Sequence, residues 1–434
     1  MSSRTEQLGV RPVARDILLV TVDCWRHDAP AEMPQLQTDL ADATRTDAVT
    51  AAPATRGSFP AILNSRYYPE AYTGFNQLRP GQTSLPEALS AAGYETAGFV
   101  GSNPFLSAWA DRFDSFWNDD LDAESSVLPQ GLASAVESLR TGLDYARMRS
   151  RVTATDLAQR AARWYDSTAG PRFLWVHLMD VHVPFLPGLR RGLSEGALAT
   201  FLAHLKFVRD PASLSAAEYA TLERLYWHSV DRLDETIGKV LSVVDDDALV
   251  AVTGDHGEEF DHGEFGHARL YDECVRVPLF VRNGGSEFET GGAPVRHLDL
   301  PVGLLDAVDA PVPEDWTGEP LSTEPTPAFM LNHSPRFGAV YAGVRTDRWK
   351  VIRTFDAETM THEQTELYDL RADPGETTDL TADRKIPGAL QTTLDDFLAR
   401  PEIADGLHED GSAGSGDEQP DAVVADRLEA LGYR

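Results

Sequence analysis

Short apolar runs of strand length recur along this chain, separated by stretches whose apolar positions repeat every three to four residues. Ile17–Val22, Phe173–Leu178, Leu249–Val252 and Val277–Val281 are nearly continuous in apolar residues, the pattern of strands covered on both faces. Thr83–Ala92, Thr155–Tyr165 and Tyr219–Val244 between them carry the helical period. Two have recognisable starts: Thr83 or Ser84 ahead of Pro86 and Glu87, and Thr155-Asp156 ahead of an alanine-rich stretch. Buried strands alternating with helices predict an α/β fold built on a large, mostly parallel sheet flanked by helices. In such sheets ligands bind beyond the carboxyl ends of the strands, so the residues just after each apolar run are where chemistry is expected.

Residues 12–320 read as one catalytic-size body, interrupted at 121–150 by a polar, helical insertion. Beyond about residue 310 proline and glutamate become dense. Short strands then follow at Ala339–Val344 and Trp349–Arg353, which predicts a small C-terminal α+β subdomain over 321–405. The acidic Gly/Ser-rich stretch 406–421 reads as a linker, and 422–434 as a closing amphipathic helix.

Composition narrows the partners. The 434 residues include 38 Lys+Arg against 69 Asp+Glu, a formal net charge of −31, yet 42% are hydrophobic, which keeps the chain in the globular class. Only four of the cationic residues are lysines (Lys206, Lys239, Lys350, Lys385). A surface of this sign repels nucleic acid and anionic membranes, so neither is expected as a partner. The acidic excess is spread over the whole chain, the pattern of a halophilic cytosol, where dense carboxylates keep the surface hydrated. No apolar run is long enough to span a bilayer, and the first 25 residues lack a signal-peptide pattern, so a cytoplasmic location without membrane insertion is expected. Cys24 and Cys274 lie in apolar surroundings outside any metal-ligand spacing and read as core thiols.

Four segments carry residues suited to chemistry. Asp23 follows the first strand, where a carboxylate is a natural metal ligand. After Leu249–Val252, residues 253–267 hold three histidines (His256, His262, His267) and five carboxylates (Asp255, Glu258, Glu259, Asp261, Glu264) among glycines. Adjacent Asp255 and His256 suit a divalent ion that accepts both oxygen and imidazole nitrogen, such as Mn²⁺ or Zn²⁺. After Phe173–Leu178, His177 is expected to be buried against Asp180, and His182 lies in the loop, free to reach a substrate oxygen. In Ala54-Thr55-Arg56-Gly57-Ser58-Phe59, a small hydroxyl residue opens an apolar helix. A nucleophile there would profit from the helix N-terminus, but a threonine hydroxyl needs a metal or an adjacent base to attack at neutral pH.

In this order the segments resemble the sulfatase family of the alkaline-phosphatase-like superfamily, the arylsulfatases in particular. ILLVTVDCWRHDAP resembles its first metal-binding strand, TRGSFPAILNSRYYP its nucleophile motif, HLMDVHVPF its His-x-x-Asp-Pro-His stretch, and LVAVTGDHGEEFDHGEFGHARLYDECVRVPLFV is the closest match. TDRWKVIR, ELYDLRADPGETTDL and RLEALGYR are similar to its C-terminal subdomain. The resemblance implies a metal-dependent hydrolase of sulfate or phosphate esters acting on a small-molecule or glycan ester. Asp23, Asp255, His256 and Thr55 would hold a divalent ion (Mn, Zn, Ca or Mg), and Thr55, His182 and His267 would be catalytic. Arg56, Ser58, His177, Asp180 and Arg269 would face the substrate.

The departures bear on mechanism. The family's usual nucleophile is a Cys or Ser converted to formylglycine. Thr55 cannot be converted in that way, so no formylglycine is expected. The motif's Pro is Gly57, its Arg is Phe59, and Cys24 stands where many sulfatases have a second metal-binding Asp. The alternatives are a transferase of phospho head groups to a glycan or lipid and a non-catalytic glycan-binding member. The sequence leaves the oligomeric state open.

Overall fold

The computed structural model describes residues 15–412, apart from 75, 120–143, 145–147, 151, 289, 291–293 and 322–325. Its strands are β1 (Ile17–Val22), β2 (Thr44–Val49), β3 (Tyr72–Gly74), β4 (Gln77–Leu78), β5 (Glu95–Val100), β6 (Ser115–Asn118) and β7 (Arg172–Leu178). β8 (Leu249–Gly254), β9 (Arg276–Arg282) and β10 (Val295–Arg296) follow, then β11 (Ala328–Ser334), β12 (Ala339–Arg345), β13 (Trp349–Asp356) and β14 (His362–Asp369). A central eight-stranded sheet has the order β10-β2-β9-β8-β1-β7-β5-β6, and β9 alone runs against the others.

The alternation of side chains along β1 divides the core. Leu18, Val20 and Val22 join the helices Ala154–Ser167 and Ala216–Leu241 on one face. Ile17 and Leu19 join Thr55–Asn64, Leu85–Ala91 and Leu300–Asp306 on the other. β1 is buried at all six positions, as its unbroken apolar run predicts. The alanine-rich helix starts earlier than its sequence suggested, because Thr153 and Asp156 form a capping box.

A four-stranded antiparallel sheet, β11-β12-β13-β14, packs beside the body. Leu331, Val340, Val351 and Leu367 lie against the helices Gly388–Leu398 and Pro401–Ser412, while Met330, Tyr341 and Ile352 meet Leu270, Tyr271 and Val275 of the body. The last helix corrects the expectation of a linker from residue 406. It runs to Ser412 because Ile403 and Leu407, four residues apart, bury the same face. The rest of that stretch, the closing helix at 422–434 and nearly all of the insertion at 121–150 lie outside the described residues.

One buried ionic cluster joins sheet and body. Asp272 accepts hydrogen bonds from Lys350 Nζ at 2.7 Å and from Arg345 Nε and Nη2 at 2.9 and 2.8 Å. Lys350, with no exposed surface, also reaches Glu376 Oε1 at 2.6 Å. Two carboxylates meet two cations, so the cluster is neutral.

Candidate active site

The register of three strands sets Asp23, Met179 and Asp255 side by side. Val22 pairs with Leu178 on one side and Gly254 on the other. The pairing continues one residue beyond the strands, with Asp23 N–H donating to Leu178 O at 2.9 Å and Asp255 N–H to Val22 O at 3.2 Å. Both carboxylates are therefore carried by backbone at the carboxyl edge of the sheet, and both are fully buried.

Thr55 comes to them from the first residue of the helix Thr55–Asn64. Its hydroxyl donates to Asp23 Oδ2 at 3.2 Å and lies 3.4 Å from His256 Nε2. The entry to this helix is tight: a Cβ on Gly57 would stand 2.5 Å from that of Ala52, so the position that departs from the family's proline requires glycine here. Phe59, where the family has arginine, is a core residue whose ring meets His177 edge-on at 5.1 Å.

Hydrogen-bond accounting fixes the histidines. His256 Nδ1 lies 2.9 Å from Gly257 O, and a carbonyl only accepts, so the neutral ring carries its hydrogen on Nδ1. The Nε2 lone pair then faces Asp23 Oδ1 at 3.4 Å, Asp255 Oδ2 at 3.6 Å and the Thr55 hydroxyl. His177 is oriented by a chain of donors. Trp175 Nε1–H, which can only donate, takes the Thr21 oxygen at 2.9 Å, Thr21 O–H donates to His177 Nδ1 at 2.9 Å, and His177 Nε2–H is left for Asp23 Oδ2 at 3.3 Å. His177 thus steadies Asp23. The expected partner, Asp180, instead accepts the Ala154 N–H at the start of the helix Ala154–Ser167.

The electrostatics suit a cation. Among the described residues no Lys or Arg pairs with Asp23, Asp255 or Glu258. Burial, and then the charge of Asp23, hold the Asp255 carboxyl well above the usual range, and its Oδ2 is buried with no hydrogen-bond partner. Burial pushes Glu258 up to about 7 and pushes His256 and His267 down to about 3 and about 4. Neutral imidazole lone pairs and unmatched carboxylate oxygens around one point are the donor set of a divalent ion, so Asp23, Asp255, His256 and Thr55 fit one. Mn²⁺, Zn²⁺, Ca²⁺ and Mg²⁺ remain open.

His182 and His267 border the same cluster, their rings 5.7 Å apart, with that of His267 4.6 Å from that of His256. His182 Nδ1 is taken by Val183 O, leaving Nε2 as an acceptor. Three residues expected to face the substrate have other partners. Arg56 lies over the Tyr72 ring at 4.8 Å and reaches Gly74 O. Ser58 donates back to Thr55 O at 3.2 Å inside its own helix. Arg269 pairs with Glu259 and reaches His262 O at 2.9 Å. In a chain so rich in carboxylates and aromatics, an arginine finds such partners readily.

Sequence reasoning passed over three members of the cluster. Asn103, just past β5, donates to Asp23 Oδ2 at 3.1 Å, and no motif announces it. Glu258 was one of five loop carboxylates, and only burial singles it out. Cys24 is a buried thiol, as its surroundings predict, and it also borders the cluster. Its backbone is left-handed (φ 58°), and its Sγ lies 3.3 Å from Asp23 Oδ1 and 3.7 Å from His267 Nδ1.

Comparison with known proteins places the chain. The Sulfatase family model matches residues 25–310, and that of the N-sulphoglucosamine sulphohydrolase C-terminal region matches 260–401. An N-acetylglucosamine-6-O-sulfatase of Bacteroides thetaiotaomicron is 28% identical over 189 residues, 38% of this chain and 33% of that protein. The chain spans about a third of the length of the curated relatives it matches. The structure of BT4656 in complex with its substrate D-glucosamine-2-N,6-O-disulfate superposes with a TM-score of 0.64 at 16% identity, over 90% of this chain and 98% of that one. The phosphonate monoester hydrolase of Agrobacterium radiobacter gives 0.60 at 17% identity, over 90% and 96%.

Proposed function

This chain belongs to the sulfatase family, and from that premise we propose that it hydrolyses sulfate or phosphate esters through a covalent intermediate on Thr55. The observation that carries the reading is the Thr55 hydroxyl, within 3.2 Å of Asp23 Oδ2 and 3.4 Å of His256 Nε2 at a helix start, beside the unpartnered Oδ2 of Asp255. Asp23, Asp255, His256 and Thr55 would hold a divalent cation, which when bound supplies Lewis acidity to the threonine oxygen and to the ester. Thr55 Oγ attacks sulfur or phosphorus in line and the alcohol departs with a proton. His177 and Asn103 keep Asp23 in place for this. His182 and His267 flank the ester oxygens, and water then releases the acid from Thr55. Because water must attack the same centre that Thr55 attacked, a phosphoester is favoured over a sulfate ester.

The test is hydrolysis of p-nitrophenyl phosphate, a p-nitrophenyl phosphodiester and p-nitrophenyl sulfate in molar KCl. Mn²⁺, Zn²⁺, Ca²⁺ and Mg²⁺ are supplied separately, with Thr55→Ala as control. Phosphoester turnover lost in the control is the expected result, and full turnover by Thr55→Ala refutes the mechanism. The salt follows from the proposed setting, a salt-rich cytosol, supported by the charge of −31 and the four lysines. Retention of full structure after dialysis into low salt would sink that setting. Among the described residues, no helix is long and apolar enough to cross a membrane.

A further inference from the structure

We propose that Asn332 and Arg336, on the β11–β12 hairpin of the small sheet, are positioning residues for His267, and that the small sheet thereby sets where this imidazole meets the ester. The inference rests on the role given to His267 above. His267 stands on a stretch with little regular structure, where the carbonyls of Phe265, Gly266 and Ala268 carry hydrogen bonds. Gly266 O accepts from Glu259 N–H at 2.6 Å within the same loop. Phe265 O accepts from Arg336 Nη1, and Ala268 O from Asn332 Nδ2 at 2.7 Å. Two side chains from a hairpin, 71 and 64 residues further along the chain than the carbonyls they bind, thus grip the backbone on either side of one histidine.

The local sequence fits this use. β11 turns Met330 toward Leu270 and Tyr271 of the body, and Asn332, two residues on, shares that face. Arg336 sits in the turn after β11, and its Nη2 donates to Glu264 Oε2 at 3.0 Å, which fixes the outer end of the guanidinium. A Cβ built on Gly266 would stand 3.0 Å from Arg336 Nη1, and φ there is +124°, so the glycine beside His267 lets the guanidinium lie against the backbone. Docking of the sheet does not call for these bonds. Asp272 with Lys350 and Arg345, and the apolar contacts of Met330, Tyr341 and Ile352, already join it to the body. Hydrogen bonds from side chains such as Arg336, 27% exposed, add modestly to stability. What sets the pair apart is its place around the histidine whose ring lies 4.6 Å from that of His256 and 5.7 Å from that of His182. A small drift of that ring costs rate more than it costs binding.

A double-mutant cycle in the full chain, on whichever of the three p-nitrophenyl esters it hydrolyses, tests this. Asn332→Ala and Arg336→Ala should each lower kcat and kcat/KM together by about ten- to a hundredfold, with the melting temperature within about 4 °C of normal. Arg336→Lys, which keeps a donor for Phe265 O, should recover most of the loss. In a His267→Ala background the same two alanine substitutions should cost less than about twofold, because the group they position is gone. Equal losses with and without His267 overturn the proposal, as does full turnover by both single variants. Normal turnover by His267→Ala overturns it together with the role given to His267. A chain inactive on all three esters counts against the proposed function instead, and amide exchange over residues 264–270 then decides: faster exchange in the doubly substituted chain supports the grip, and unchanged exchange overturns it. Should one single variant fail to fold, the other carries the cycle.

Discussion

Two buried clusters of charge in this molecule use the same residue types to opposite ends. At the junction of body and small sheet, Asp272 and Glu376 are matched by Lys350 and Arg345 within hydrogen-bonding distance. At the carboxyl edge of β1 and β8, Asp23, Asp255 and Glu258 are as deeply buried, but their neighbours are histidines whose burial keeps them neutral. The protein supplies countercharge where the cluster holds two layers together and withholds it at the site. Buried carboxylates without cations destabilise a fold, so a site that keeps them is shaped for something that binds.

The largest effects test this division directly. Thr55→Ala should cut ester turnover by about a thousandfold or more and leave the urea midpoint in molar KCl almost unchanged. A stability loss comparable to that of a core truncation would place Thr55 in the scaffold instead. Lys350→Met should do the reverse. It strands Asp272 and Glu376 without their shared cation, so a cost of about 3–5 kcal/mol is expected, with turnover per folded molecule within a few-fold of normal. Equilibrium unfolding combined with active-site titration separates the two. A Lys350→Met protein of normal stability would show that the junction is not held by charge.

A smaller effect sharpens the contrast in sign. Asp→Asn in chelator-treated protein should raise stability at Asp255, by about 1 kcal/mol, because it removes an unmatched buried charge. At Asp272 the same change should lower it. Mn²⁺ at a hundred times its dissociation constant should stabilise the unaltered chain by about 2.7 kcal/mol and Asp255→Asn by much less. Thermal melts with and without Mn²⁺ read both. Equal signs for the two substitutions would break the comparison.

The sequence displays one of these clusters and conceals the other. Asp23 and Asp255-His256 follow apolar runs, and Thr55 opens a helix, so strand ends and a helix start were enough to locate them. The sheet's register does the rest by setting those ends side by side. Asn103 lies 80 residues from Asp23 in sequence, and an asparagine after a strand carries no chemical signature. Among the five loop carboxylates, Glu259 and Glu264 pair with Arg269 and Arg336, and Asp261 with Arg26, whereas Glu258 turns inward. Nothing local separates them. Lys350 is one of four lysines in an ordinary strand pattern, and its partners come from residues 272 and 376. Long-range pairing of this kind is decided by packing, which periodicity does not report. Periodicity is equally silent on the contacts of Arg56 and Arg269, which lie with Tyr72 and Glu259.

The smallest effect is a matter of pH. Burial alone would raise the Asp272 carboxyl, but Lys350 and Arg345 outweigh it and hold it well below its ordinary value of 3.8. The native state therefore keeps this charge after the unfolded chain has taken a proton, and the pairing contributes fully above about pH 3.8 and fades as pH falls below it. His204, pushed by burial down to about 4 from 6.5, acts in a higher window. There the unfolded chain binds a proton that the native ring refuses, so stability declines as pH falls from 6.5 to about 4 and then levels. Urea midpoints measured from pH 7 to 3 in molar KCl should show both limbs, since buried groups are little screened. Asp272→Asn should flatten the lower limb and leave the upper one intact. If the lower limb survives that substitution, other carboxylates produce it, and the junction's ion pairs contribute less than its apolar packing.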